Sequence, residues 1–279
     1  MSKPWKITFI VLLIIGSLVS AQEFYRRSGR GYRNRPQRQM GDRNGVPLWE
    51  NDKALKHDVF TFVRIRYNTD GRQGWRGEHK WRTDYPDADL NLSYRLQELT
   101  SIKTDPHGKI LELTDPELFE HPFIYMIEPG ALYFSESEVV ALRDYLYRGG
   151  FLMVDDFWGE REWANFEEQI RRVFPNRPIE ELPLEHEIFH MVYDLKEKPL
   201  IPSVHAYLGG MATERWDADE PHYRGIQDDE GRLMAIICHN TDLGDGWERE
   251  GMDQGYFKEY SERWAYPMGI NIVTYALTH

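Results

Sequence analysis

Asp155 and Asp156 stand side by side at the end of an apolar run, FLMV (151–154), where a strand should give way to a loop. A carboxylate in that position can bind a hard cation, hydrogen-bond a sugar hydroxyl or act as a base. Adjacent residues of a strand point to opposite faces, so at most one of the pair faces a crevice squarely. The competing reading has one capping the next helix and the other paired with an arginine. The densest polar and aromatic stretch is HNTDLGDGW (239–247), which reads as a loop carrying His239, Asn240, Asp242, Asp245 and Trp247. Polar groups beside an aromatic platform suit carbohydrate or another neutral polar ligand, and His with Asp also suits a metal. An Asx-rich turn bonded to its own backbone is the alternative.

Asp84, Asp87 and Asp89 crowd a helix start, where the helix dipole accounts for two acids; Asp84, next to Tyr85 and near Trp81, is the one left for function. Trp158, following the acidic pair, is a further candidate wall. His186 to His190, HEIFH, matches H-E-x-x-H, which on a helix would aim both histidines at zinc with the glutamate as base. Pro183 just before it and the loop-like 196–202 after it leave room for a short helix only, and no third ligand follows at a recognised offset. A chance match is the expectation, with zinc on His186 and His190 as the alternative; no metal and no cofactor are expected. The single cysteine, Cys238, follows Ile236 and Ile237, a context for a packed thiol rather than a nucleophile.

These residues need elements to hold them. Ser135 and Glu138 form a capping-box pattern, and Val139, Leu142 and Leu146 recur at helical spacing behind it. Gly149 ends that helix and Gly150 turns the chain into the strand of 151–154. Strands are also expected at 59–67, 109–113, 123–127 and 233–238, and helices from Thr83 through Leu99, around 163–173 and at 264–277. Six prolines between 175 and 230 mark that stretch as loops. Strands alternating with helices imply an α/β domain with a mostly parallel sheet covered on both faces.

The 279 residues carry a net charge of −12, unevenly spread. The first 45 residues hold +7, with seven arginines between 22 and 45, which leaves −19 for residues 46–279. So acidic a domain is a poor nucleic-acid binder, because phosphate binding needs a basic footprint. Lys3 and Lys6, the apolar run 7–21 and the small residues Val19 and Ala21 read as a signal peptide over 1–21, with a membrane anchor as the alternative. Residues 22–45, rich in Arg and Gly, read as a disordered linker, and 46–279 as the folded domain. Periplasmic or extracellular location follows from cleavage; the anchor would place the chain at the inner membrane, with membrane association through 1–45.

The phrases FVRIRY, WRTDYPDADLNLSYRLQELT, LTDPELFEHPFIYM, YLYRGGFLMVDDFWG and CHNTDLGDGWE closely resemble the bacterial domain of unknown function 4159 family, over about 59–279. The resemblance implies a fold similar to class I glutamine amidotransferases, a flavodoxin-like doubly wound sheet, and an association with the cell envelope. It brings no known reaction. Where those enzymes place a cysteine nucleophile on a tight elbow, this chain has Asp155 and Asp156, which excludes a thioester mechanism there. The expected role is therefore a non-catalytic binding or scaffolding module for an envelope ligand or partner protein. The alternative is a hydrolase or lyase pairing Asp155 or Asp156 with His239, with or without a metal, on a carbohydrate or other polar substrate.

Overall fold

A computed structural model describes residues 43, 45–52, 54, 58–69 and 80–279. The expectations for the signal peptide and nearly all of the linker fall outside these residues. Among the described residues no helix is long and apolar enough to cross a membrane. The inner-membrane anchor and the membrane association expected through residues 1–45 therefore find no spanning helix among the described residues to support them.

The organising sheet has seven strands: β1 (Val63–Ile65), β3 (Lys109–Leu111), β4 (Phe123–Ile127), β6 (Phe151–Asp155), β7 (Glu180–Glu181), β8 (His222–Gln227) and β9 (Leu233–His239). Their spatial order is β3-β1-β4-β6-β9-β8-β7. The first five run parallel, and β8 and β7 add antiparallel at one edge. A separate two-stranded ribbon joins β2 (Asn68–Thr69) to β5 (Leu132–Tyr133). The sheet is thus mixed and mostly parallel, as alternating strand and helix patterns require.

Each face carries its own apolar cluster, set by the period of two along the strands. Phe123, Tyr125 and Ile127 of β4 face one side with α1 (Asp87–Leu99) and α6 (Tyr266–Thr278). Ile124 and Met126 face the other with α2 (Glu136–Tyr147) and α3 (Gly159–Val173). The α2 start carries both halves of the capping box: Glu138 N–H donates to Ser135 Oγ, and Ser135 N–H to Glu138 Oε2. Gly149, at φ 102°, takes the left-handed conformation that lets the chain leave α2.

Three expectations need correction. The first strand shrinks from 59–67 to Val63–Ile65, preceded by an isolated parallel bridge at Phe60. The proline-marked stretch 175–230 holds β7, the six-residue β8 and the short α4 (Val204–Leu208). Prolines do bound these pieces, but β8 itself has none, and its pairing with β9 supplies the order that its weak pattern, HYRGIQ, does not. The terminal helix begins earlier, as Gln254–Tyr256 run through a π-helical stretch, Phe257–Ala265, into α6.

Candidate functional site

Four non-glycine residues have positive φ among those described: Asp84 (62°), which follows the 3-10 turn Lys80–Arg82, and Glu128 (48°), Asp156 (55°) and Asn240 (59°). The left-handed region costs an L-residue about 1–2 kcal/mol, less for Asp and Asn, whose side chains bond locally. Glu128, Asp156 and Asn240 follow β4, β6 and β9 directly, so the backbone bends sharply at the carboxyl edge of three neighbouring strands. Strain concentrated at one edge is a pointer to function.

Asp84 is delivered by a buried arginine that the alternating FVRIRY pattern hides. Arg64 on β1 is fully buried, and its Nε lies 3.0–3.1 Å from the two Asp89 oxygens. It also donates to the carbonyls of Trp81 (3.1 Å) and Thr83 (2.9 Å), fixing the segment that leads into Asp84. Burial opposes its charge, but Asp89 more than compensates, and the guanidinium is held above its ordinary pKa. Asp89 is therefore not merely a helix-dipole acid: it is the counter-charge of a buried ion pair. The guanidinium also lies 5.0 Å over the Tyr125 ring.

Asp84, Asp156 and Asp242 bring carboxylate oxygens within 4.8 Å of one another, and all three are buried. At that separation an effective dielectric of about 20 gives roughly 3.5 kcal/mol of repulsion for each fully ionised pair. Burial, with the neighbouring acids, raises all three well above the ordinary carboxylate range: Glu248 and Asp245 act on Asp84, Glu214 and Asp84 on Asp156, and Asp156 and Asp84 on Asp242. The Trp158 indole N–H donates to Asp156 Oδ1 at 2.9 Å. Asp242 caps α5 (Leu243–Glu248), accepting the Asp245 N–H at 2.6 Å. The Asp84 Oδ2 atom is buried and receives no hydrogen bond from an N–H or hydroxyl group; the acid that bonds Asp84 is Glu248.

Asp155 plays a different part from its neighbour. It turns to the α1 side, accepts the N–H groups of Leu243 (3.3 Å) and Gly244 (2.8 Å) and the Tyr125 hydroxyl (3.1 Å), and so anchors the start of α5. Burial pushes its carboxyl up to about 7 in spite of those donors. Neither half of the competing reading holds as expected: Asp155 holds the start of α5 and not of α3, the next helix along the chain, and neither residue makes an ion pair with an arginine among the described residues. A second acidic group, Asp84 with Asp245 and Glu248, shares Asp84 with the first. This one has a built-in cation: Arg249 lies 3.1 Å from Asp245 and 2.5 Å from Glu248. Burial still lifts Glu248 to about 7.

His239 stands apart. It follows Cys238 in β9, and the strand period turns it to the α3 face, where its ring lies 4.7 Å from Phe157. Arg224 donates to Nδ1 at 3.1 Å, and Nε2–H donates to the Gly159 carbonyl at 3.2 Å. Burial and Arg224 depress it to about 3, so it is a neutral packed imidazole, and the carboxylate–histidine pair is not formed. Asn240 ties two segments together: its Oδ1 accepts from Gly159 N–H and its Nδ2 donates to the Glu220 carbonyl.

The expected loop 239–247 is a buried turn closed by α5, and Trp247 is fully buried with its N–H on the Ala265 carbonyl. Trp158 is 3% exposed, so neither indole offers a stacking face to solvent. Tyr85 is half-buried, near Arg64. His186 and His190 bracket a single 3-10 turn, Glu187–Phe189, not an α-helix. His186 Nδ1 accepts the Ile188 N–H, while His190 bonds Asp194 and the Leu184 carbonyl, so the motif lacks the zinc-binding geometry. Cys238 is a buried thiol whose pKa burial raises.

Sequence reasoning missed Arg64, Glu248, Arg249 and Gly244. The signal for Gly244 and Glu248 was their spacing from Asp242 on one short helix; Arg64 gave none, since an arginine in an alternating strand reads as solvent-facing. No curated protein matches this chain. The family described as Domain of unknown function (DUF4159) matches residues 61–277, which takes in every strand of the sheet and all of the carboxylates above, and the chain belongs to that family.

Proposed function

We propose that the domain is a hydrolase or lyase that acts on a carbohydrate or other polar substrate through the carboxylates at the carboxyl edge of its sheet. The observation that carries this reading is convergence: Asp84, Asp156 and Asp242 come from three different strand exits and meet within 4.8 Å. A scaffold that only packs has no need to collect acids in this way, since each buried carboxylate costs desolvation that a neutral residue would not. The Trp158 indole holds the Asp156 carboxylate, and in this reading Asp156 takes a proton from the attacking water or the substrate. His239 has no part in the chemistry.

The finer fold assignment belongs to the same proposal. Numbered along the chain, the five parallel strands have the spatial order 2-1-3-4-5, which supports a flavodoxin-like sheet with its ligand crevice at the carboxyl ends. Asp156, left-handed directly after β6, takes the place of the elbow nucleophile in the amidotransferase-like reading.

The test is a turnover screen of the full chain against glycosidic and ester substrates of polyhydroxylated compounds. Expected is a hydrolysis or elimination product whose rate falls about 100-fold or more in Asp156→Asn, with the circular dichroism spectrum unchanged. Saturable binding of such a compound with no turnover would instead mark a binding module.

A further inference from the structure

We infer that Asp84, Asp156 and Asp242 form the binding site of one hard divalent cation, of the Mg²⁺, Mn²⁺ or Ca²⁺ class. The inference rests on the crevice being the reaction site proposed above, and two observations beyond the clustering of acids support it. The first is Asp84 itself: the residue is 7% exposed, its Oδ2 atom is buried with no N–H or hydroxyl donor, and the Glu248 carboxyl that bonds Asp84 is itself an acid and brings no positive charge. A buried carboxylate oxygen without a donor loses its hydration and gains nothing in return, so such atoms call for a ligand that the protein does not supply. The second is the lack of a side chain beside that atom. Residue 244 is glycine, and a Cβ there would lie 2.7 Å from Asp84 Oδ2 and 2.8 Å from the Tyr125 hydroxyl. A side chain at 244 would collide with that oxygen, so the glycine keeps the carboxylate in place and its neighbourhood clear of further atoms.

The neighbouring cations are already committed. Arg64 is engaged with Asp89, and Arg249 with Asp245 and Glu248. Among the described residues no Lys, Arg or His makes an ion pair with Asp84, Asp156 or Asp242. Of the two acidic groups that share Asp84, only this one lacks an internal counter-charge, so it is the one that an external cation completes. The donor set is carboxylate oxygen alone, which selects hard cations over zinc or copper, whose sites draw on imidazole and thiolate. Three protein ligands would leave positions open for water or a substrate hydroxyl. The cation would also tie together the chain leaving β1, β6 and β9.

The experiment is calorimetric titration of the full chain, stripped with chelator and dialysed, with Mg²⁺, Mn²⁺ and Ca²⁺ in turn. Expected is saturable binding of one cation per chain, weakened by at least about 100-fold in Asp156→Asn and in Asp242→Asn, and unchanged in His190→Ala. Wild-type protein that binds none of the three at millimolar concentration overturns the inference, and needs no variant to fold. Folded Asp156→Asn and Asp242→Asn proteins that bind as tightly as wild type overturn it too. Turnover that is lost in Asp156→Asn yet indifferent to chelator would reject the cation and keep the hydrolase or lyase; cation binding without turnover would do the reverse.

Discussion

Two polar clusters lie at the exit of β9, one on each face of the sheet, and they handle charge in opposite ways. On the α3 face, Glu181 is met by the Lys198 ammonium at 2.5 Å, by His222 at 3.2 Å and by Arg224 at 3.5 Å, and Arg224 spreads over the Trp163 ring at 4.0 Å. Burial alone would raise Glu181, but hydrogen bonds from His222 and Lys198 bring it down to about 2. On the α1 face Asp84, Asp156 and Asp242 gather without a cation of their own, and all three are raised. The first cluster is complete as folded. The second is a set of ligands awaiting a partner, and the contrast separates polar groups kept for structure from polar groups kept for chemistry.

The sharpest way to break the contrast is to strip a counter-charge from the acid-rich side. Arg249→Leu leaves Asp245 and Glu248 buried and unpaired beside Asp84, and should lower stability by about 3–5 kcal/mol in chelator, read from denaturant midpoints. A loss below about 1 kcal/mol would mean that the guanidinium is a surface ornament and that the two acidic groups do not differ.

A smaller effect of opposite sign is expected from the ligands themselves. Asp242→Asn keeps a good helix cap on α5 but removes one of three mutually repelling acids, so the cation-free protein should gain about 1–3 kcal/mol. The same substitution should abolish the rise in melting temperature that divalent cations give to wild type. Loss of stability in chelator would show that the carboxylate is needed for packing alone.

The smallest effect tests the balanced cluster. Glu181 titrates lower in the folded chain than in the unfolded one, so its stabilisation is present above about pH 4.5 and is lost as pH falls toward about 2. The side chain is 40% exposed, and Glu181→Gln should cost less than about 1 kcal/mol at pH 6. The difference from wild type should vanish near pH 2. The raised acids on the other face carry the reverse sign: their favourable protonation is lost as pH rises above the ordinary aspartate range. Chelated protein should therefore lose stability toward neutral pH, and a divalent cation should remove that slope.

Local chemistry in the chain was enough for most elements. The capping box, the glycine pair and the apolar runs at 123–127 and 151–154 specify α2, β4 and β6 because their interactions lie within a few residues of one another. Alternation of strands with helices was likewise enough for a mostly parallel, two-faced sheet. The long phrases shared with the DUF4159 family needed no coordinates either. What could not be read locally was anything that depends on a distant partner. β8 is a strand because β9 lies beside it, and Arg64 is buried because Asp89 and two carbonyls wait for it. H-E-x-x-H is a match in spacing alone, since its residues form a 3-10 turn and no common face exists. His239 and Asp242 are three residues apart, yet the strand period and the turn after β9 send them to opposite sides of the sheet. Asp84, Asp156 and Asp242 are widely separated along the chain, and only the folded sheet, by aligning the exits of β1, β6 and β9, sets their oxygens within reach of one ion.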